Sequence, residues 1–308
     1  MRVMTFNIKN SRDAGDWPTW PERRAMAASV IRSHAPDLAG LQEVFREQLD
    51  DLDEALDDYA WFGVGRDDGK EAGEYAPILY RKDSVELLEG GNFWLSETPE
   101  EPGVLGWDAH CPRIVTWGKF REKASGQGLF LFNTHLDHAG WTARRESCFL
   151  LLARIQEIAG SAPVVVTGDF NARESDEPYR ILTGAATAAV GAGTARPESP
   201  PASSTASTRE KRARRAALSL RDARYASELP HHGPTWTWTC FDAPQGDPGD
   251  KIDFIFVSDG VRVRQHGVLN DAWDGRRPSD HLPVIAEIAT GDNDLTERHP
   301  ARRMTFHG

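Results

Sequence analysis

Val164-Val165-Val166-Thr167-Gly168-Asp169-Phe170-Asn171-Ala172 is the stretch whose reading decides the fold of this chain. Three β-branched residues in succession predict a buried strand. The strand runs into Gly168, which permits a sharp turn. Asp169 and Asn171 follow two residues apart, so a carboxylate and an amide point the same way if the backbone stays extended. Such a strand end is suited to holding a metal ion, a water molecule or a phosphate. It is equally compatible with a turn in which the two side chains satisfy only their own backbone. The rest of the chain decides between them.

Immediately upstream, a helix over about 142–159 separates this strand from another at Leu129–Leu136, giving a strand–helix–strand unit. Ile114–Phe120 pairs with Leu129–Leu136 as a hairpin, and Asn133, His135 and Asp137 share one face of its second strand. Nearer the N-terminus, residues 3–8 alternate as a strand ending near Asn7. A helix from Pro21 to about His34 carries Met26, Ala27, Val30 and Ile31 on its apolar stripe. Asp37–Val44 is a second strand that ends on Glu43, and a helix through Leu49, Leu52 and Leu56 follows. Short strands are expected at Tyr59–Val64, Ala76–Arg81 and Val85–Leu88, then a loop over Phe93–Trp107. Downstream of the quoted stretch, strands are expected at Thr235–Thr239, Lys251–Ser258, Val261–Gly267 and Val284–Ile288, and Ser279-Asp280-His281 feeds the last of them. Residues 185–217 are rich in Ala, Gly, Ser, Thr and Pro and read as a surface insertion; their basic run at 209–215 is an alternative arm for an anionic substrate. The strict alternation at 235–239 puts Trp236 and Trp238 on one face, as core packing or as a stacking platform.

Among 308 residues, 39% are hydrophobic, enough for a sizeable core, and the formal net charge is -11. That charge argues against a strongly cationic nucleic-acid scaffold. It leaves a nuclease open, because acidic residues that bind metal become neutralised. Three cysteines suggest no disulfide framework. The N-terminus lacks the tripartite pattern of a signal peptide and no apolar run approaches a membrane span. A cytoplasmic location is therefore expected, unless a leader was removed. No protein partner is inferable.

Asn7, Glu43, His135, Asp169 with Asn171, Asp253, and Asp280 with His281 all sit at or near predicted strand ends. There is no HExxH pair, no zinc-spaced cysteine pair, no P-loop and no Gly-x-Ser-x-Gly elbow. Carboxylates, amides and histidines without thiolates favour Mg²⁺, with Mn²⁺ as the substitute.

The segments TFNI (5–8), LQEV (41–44), NTHLDH (133–138), GDFNA (168–172), KIDFIFVS (251–258) and SDHLPV (279–284) occur in one order along the chain. In that order they resemble the endonuclease/exonuclease/phosphatase family. The resemblance implies an α+β fold, a four-layer α/β/β/α sandwich of two packed mixed sheets, in one domain over 1–290 with a polar tail at 291–308. It implies that Glu43 is the principal metal ligand, with Asn7 beside it and Asp280 as a ligand or a neighbouring carboxylate. Asp169 would orient or deprotonate the attacking water, Asn171 would hold phosphate and water in line, and His281, steadied by Asp253, would contact a phosphoryl oxygen. His135 would sit near the leaving oxygen with Glu74 as its partner. Arg113 is a phosphate contact or a structural arginine. Lys9 departs from the carboxylate found two residues after the first asparagine in abasic-site endonucleases, so a second metal subsite is less supported. The Trp236/Trp238 segment and the insertion also depart from the pattern, so substrate specificity does not carry over.

The function so implied is a divalent-metal-dependent phosphoester hydrolase, a phosphodiesterase or phosphatase that polarises the phosphate and activates a water for in-line attack. Its substrate would be a phosphorylated small molecule. A DNA or RNA nuclease is the alternative, and a non-catalytic binding module on the same scaffold a lesser one.

Overall fold

In the computed structural model, residues 1–13, 15, 17–185, 218–241 and 249–291 are described. The 209–215 run, the 185–217 insertion beyond its first residue, and the tail from 292 onward lie outside them.

The expected strand at the N-terminus forms as β1 (Arg2–Asn7), and α1 (Trp20–His34) crosses to β2 (Leu38–Gln42), which lies parallel to β1. After α2 (Arg46–Ala55) come β3 (Tyr59–Phe62), β4 (Ile78–Arg81), β5 (Val85–Trp94), β6 (Ile114–Glu122) and β7 (Gly128–His135). α3 (Trp141–Ala159) then leads to β8 (Val164–Asp169), parallel to β7, as the strand–helix–strand reading required. The remaining elements are α4 (Glu177–Leu182), β9 (Arg221–Asp222), α5 (Ala223–Ala226), β10 (Asp253–Val257), β11 (Val261–Val268) and β12 (Val284–Thr290).

The described strands form two mixed sheets, ordered β11-β12-β1-β2-β4-β3 and β5-β6-β7-β8-β10-β9. Three apolar layers make this the four-layer sandwich. Met4, Phe6 and Leu41 face α1 and α2 with Val30 and Ile31. Val3, Leu38, Leu131, Val165 and Ile255 fill the space between the sheets. Phe132, Val164, Val166 and Phe254 pack against Leu151, Leu152 and Ile155 of α3. Alternation along β8 explains the division: Val164 and Val166 face the helix, whereas Val165, Thr167 and Asp169 face the other sheet.

Two local expectations fail. The sequence pattern predicts an end to β5 at Leu88 and a loop over 93–107, yet the strand runs on to Trp94. Gly90 and Gly91 permit this, because a Cβ on them would meet the rings of Phe62 and Trp117 at 2.9 and 3.0 Å. The Thr235–Thr239 segment is not a strand; its single bridge joins Trp238 to His281. The N–H groups of Thr237 and Trp238 both donate to the Asp250 carbonyl instead of to a neighbouring strand. Among the described residues, no helix is long and apolar enough to cross a membrane.

Candidate active site

Topology brings the strand-end residues to one edge. β1, β2, β7 and β8 finish where β10 and β12 begin. Register then aligns the side chains: His135 pairs with Asp169 across β7 and β8, and Asp169 with Asp253 across β8 and β10. From the opposing sheet, the amide of Asn7 donates to Glu43 Oε1 and to Asp169 Oδ2, each at 3.0 Å. One asparagine thus ties the two sheets together above a cleft of about 840 Å³.

The backbone after the quoted strand is not extended. Asn171 has φ of 45°, in the left-handed region that asparagine tolerates better than most residues. Its N–H donates to Asp169 Oδ1 at 2.9 Å, so the local turn and the outward-facing site coexist. Oδ1 closes the turn and Oδ2 faces the cleft. The Asn171 side chain donates to His135 Nε2 at 2.9 Å and to the Leu136 carbonyl at 3.0 Å.

Asp253, His281 and Asp169 form a buried relay. His281 Nδ1 lies 2.8 Å from Asp253 Oδ2, and its Nε2 lies 3.7 Å from Asp169 Oδ2. Burial works against charge on His281, but Asp253 and Asp169 on either side hold its pKa well above the ordinary histidine value. Burial, then repulsion from Asp253, pushes the Asp169 carboxyl up to about 7. The two groups share one excess proton; we place it on His281, between two carboxylates, which leaves Asp169 an unusually basic carboxylate. His135 is the opposite case: burial first, then Arg113, keep it well below the ordinary value and therefore neutral. With Nε2 accepting from Asn171, its proton sits on Nδ1.

Glu43 lies just past β2 with φ of 59°, and its Oε2 accepts from the backbone and side-chain N–H groups of Asn10 at 3.2 and 3.0 Å. Burial opposes its ionisation, but the Lys9 ammonium, the Asn7 amide and the His281 cation hold it below the usual carboxylate range. Ligand atoms of Glu43, His135 and Asp169 lie within 4.8 Å of one another. Carboxylates and an imidazole without thiolate are a donor set that fits a hard divalent cation.

Several expected partners are rearranged. Asn7 turns its amide nitrogen toward the carboxylates, while its oxygen accepts from the Lys9 N–H at 3.0 Å; as a metal ligand it would have to turn over. Glu74 does not support His135, because Arg66 takes it at 2.5 Å and leaves His135 Nδ1 without a protein partner. Asp280 faces Ser279 Oγ at 3.2 Å and the Lys9 ammonium at 3.9 Å. Arg113 lines the cleft and is also bound into the scaffold by Asp137 at 3.3 Å and His138 at 3.0 Å. Of the two indoles, Trp238 lines the cleft, whereas Trp236 packs against the core between the sheets. Thr237 between them points inward, and its Oγ1 accepts from the N–H groups of Ile252 and Asp253, which positions Asp253.

Three contributors escaped the sequence reading. Asn10 could have been found, since a second amide follows Asn7 on the same polar turn. Asp137 was placed on the His135 face, but it lies beyond the strand and holds Arg113. Arg23 gave no signal, being one of several arginines in a helix; it is fully buried and donates to the carbonyls of Ile8, Lys9, Pro18 and Pro278.

Residues 4–281 match the sequence model of the Endonuclease/Exonuclease/phosphatase family. An endonuclease/exonuclease/phosphatase from Bacteroides vulgatus is 36% identical, with a TM-score of 0.80 over 94% of this chain and 98% of that one. The mannosyl-6-phosphatase of Bacteroides thetaiotaomicron is 33% identical, with a TM-score of 0.78 over 94% and 99%. Nocturnin of Drosophila melanogaster is 23% identical over 177 residues, which are 54% of this chain and 26% of that protein. The chain thus spans only about a quarter to a third of the curated relatives it matches, 26% and 30% of their lengths.

Proposed function

Because this chain belongs to the endonuclease/exonuclease/phosphatase family, we propose that it is a divalent-metal-dependent phosphoester hydrolase acting on a compact phosphorylated substrate. The observation that carries this reading is the convergence of Glu43, Asn7, His135, Asp169, Asn171 and His281 from five separate segments on one cleft edge. Glu43, with Asn7 beside it, is the group that would hold Mg²⁺ or Mn²⁺. When bound, such an ion withdraws charge from the phosphoryl oxygens and the leaving oxygen.

The chain's own groups account for the rest. Asp169 Oδ2, open to the cleft, takes the proton of the attacking water. The new O–P bond forms as the P–O bond to the leaving group breaks, and the displaced oxygen leaves with the electron pair of that bond. His281, cationic between its two carboxylates, donates to a non-bridging phosphoryl oxygen, while Asn171, its amide hydrogens taken by His135 Nε2 and the Leu136 carbonyl, orients His135. Asp253 acts through His281 by holding its orientation and charge. Neutral His135 adds no charge of its own to the leaving-group side.

Acidic side chains outnumber Lys and Arg around the cleft, which disfavours a long polyanion and favours a small phosphoester. The identity with a mannosyl-6-phosphatase supports the same preference. Purified protein stripped with EDTA should not hydrolyse p-nitrophenyl phosphate, bis(p-nitrophenyl) phosphate or sugar monophosphates, and Mg²⁺ should restore turnover on at least one. Turnover that is indifferent to chelator would refute the proposal. Plasmid nicking that exceeds small-ester hydrolysis would move the assignment to the nuclease branch.

A further inference from the structure

Lys9 is held in place far more firmly than a surface lysine. It follows β1 with φ of 57°, in the left-handed region that costs a non-glycine residue energy. Its N–H donates to Asn7 Oδ1 at 3.0 Å. Its carbonyl is gripped at 3.0 Å by both Arg23 Nη2 and Gln48 Nε2. The backbone is therefore pinned from both sides, and the side chain is aimed over the cleft, 17% exposed.

Three carboxylates from separate parts of the chain meet its ammonium. Asp13 hydrogen-bonds it, Glu43 Oε2 lies at 3.7 Å and Asp280 Oδ2 at 3.9 Å. Burial alone would weaken the ammonium, but Glu43, Asp13 and Asp280 outweigh it and keep Lys9 charged. Asp280 spends its other oxygen on Ser279, so the face it could offer a metal is the face turned to Lys9.

We propose that Lys9 is a tethered cation of the active site: its ammonium neutralises Glu43 and Asp280 together, keeps Asp280 out of the metal's ligand set and restricts the cleft to one loosely held divalent ion. This rests on the phosphoesterase reading for the identity of the ion. The electrostatics give the sign. The Lys9 ammonium lies 3.7 Å from Glu43 Oε2, so a divalent cation held by Glu43 would feel its repulsion in a partly buried site, where it is only partly screened. Removing the ammonium removes that repulsion and frees Asp280, so the metal binds more tightly. A loosely held ion suits a site whose product is phosphate, since tight metal–phosphate association would slow release.

Metal-free wild type, Lys9→Gln, Lys9→Met and Lys9→Arg proteins would be titrated with Mn²⁺ by calorimetry, with free ion counted by electron paramagnetic resonance. Thermal unfolding would verify that each variant is folded. The expected result is a single Mn²⁺ in the wild type and in Lys9→Arg. In Lys9→Gln and Lys9→Met, binding should be about tenfold tighter or a second ion should appear. Adding Asp280→Asn to Lys9→Gln should remove the second ion and the part of the gain that a freed Asp280 supplies. Unchanged or weaker Mn²⁺ binding in both neutral variants, with the wild type binding normally, would overturn the role of Lys9 and leave the hydrolase reading standing. No Mn²⁺ uptake by any of the proteins would overturn both.

Discussion

Asp169 shows how a single residue serves both backbone and chemistry. One oxygen closes the turn to Asn171 and the other takes the Asn7 amide and faces the cleft. The carboxyl is raised because burial and Asp253 disfavour its charge, which is also what makes it a competent base. Asp169→Asn keeps an acceptor for the Asn171 N–H, sets its own NH₂ against the Asn7 amide unless Asn7 turns over, and abolishes proton acceptance. Steady-state kinetics on the best small ester should show kcat lower by about 10²–10⁴-fold with little change in KM. A variant with retained kcat would assign the base to another group.

At the level of elements, the site depends on loops fixed to rigid strands. Arg23 projects from α1 and gathers the carbonyls of Ile8, Lys9, Pro18 and Pro278, joining the turn after β1 to the segment that carries Asp280 and His281. Arg23→Met fills similar space and leaves those buried acceptors unmet. It should lower unfolding free energy by about 3 kcal/mol in urea titrations and reduce activity beyond what the loss of stability explains. Between the sheets, Asn133 donates to the carbonyls of Leu41 and Pro77 and accepts from Gln42 and Thr167. Gly40 leaves room for this polar seam: a Cβ there would sit 2.3 Å from both Asn133 Oδ1 and Thr167 Oγ1. Gly40→Ala should therefore cost about 1–3 kcal/mol, measured as a lower urea midpoint at unchanged slope.

For the whole molecule, stability should fall on acidification through a histidine remote from the cleft. His266 of β11 is buried, its Nδ1 lies 2.9 Å from His231 Nδ1, and burial, then Lys251 and His231, lower its pKa to about 2. Folded protein keeps it neutral, whereas the unfolded chain takes up a proton below about 6.5. The unfolded state then binds more protons, so stability rises with pH across that window and is lost as pH falls from about 6.5 toward the folded value. This group contributes about 1.4 kcal/mol per pH unit once well below 6.5. Urea unfolding of His266→Gln between pH 7 and 5 should show a correspondingly flatter dependence than wild type, and parallel curves would remove His266 from the account. The sequence by itself determined most of the element types, the strand–helix–strand units and most of the residues that meet at the site, because apolar periodicity and polar residues at strand ends are local properties. It could not decide which partner each polar group takes: Glu74 goes to Arg66, Asp280 turns to Lys9, and the indole of Trp236 goes to the core while that of Trp238 goes to the cleft. Those choices depend on which groups from distant segments arrive within a few ångströms. Only the register of two packed sheets fixes that, and burial then makes each pairing energetically decisive.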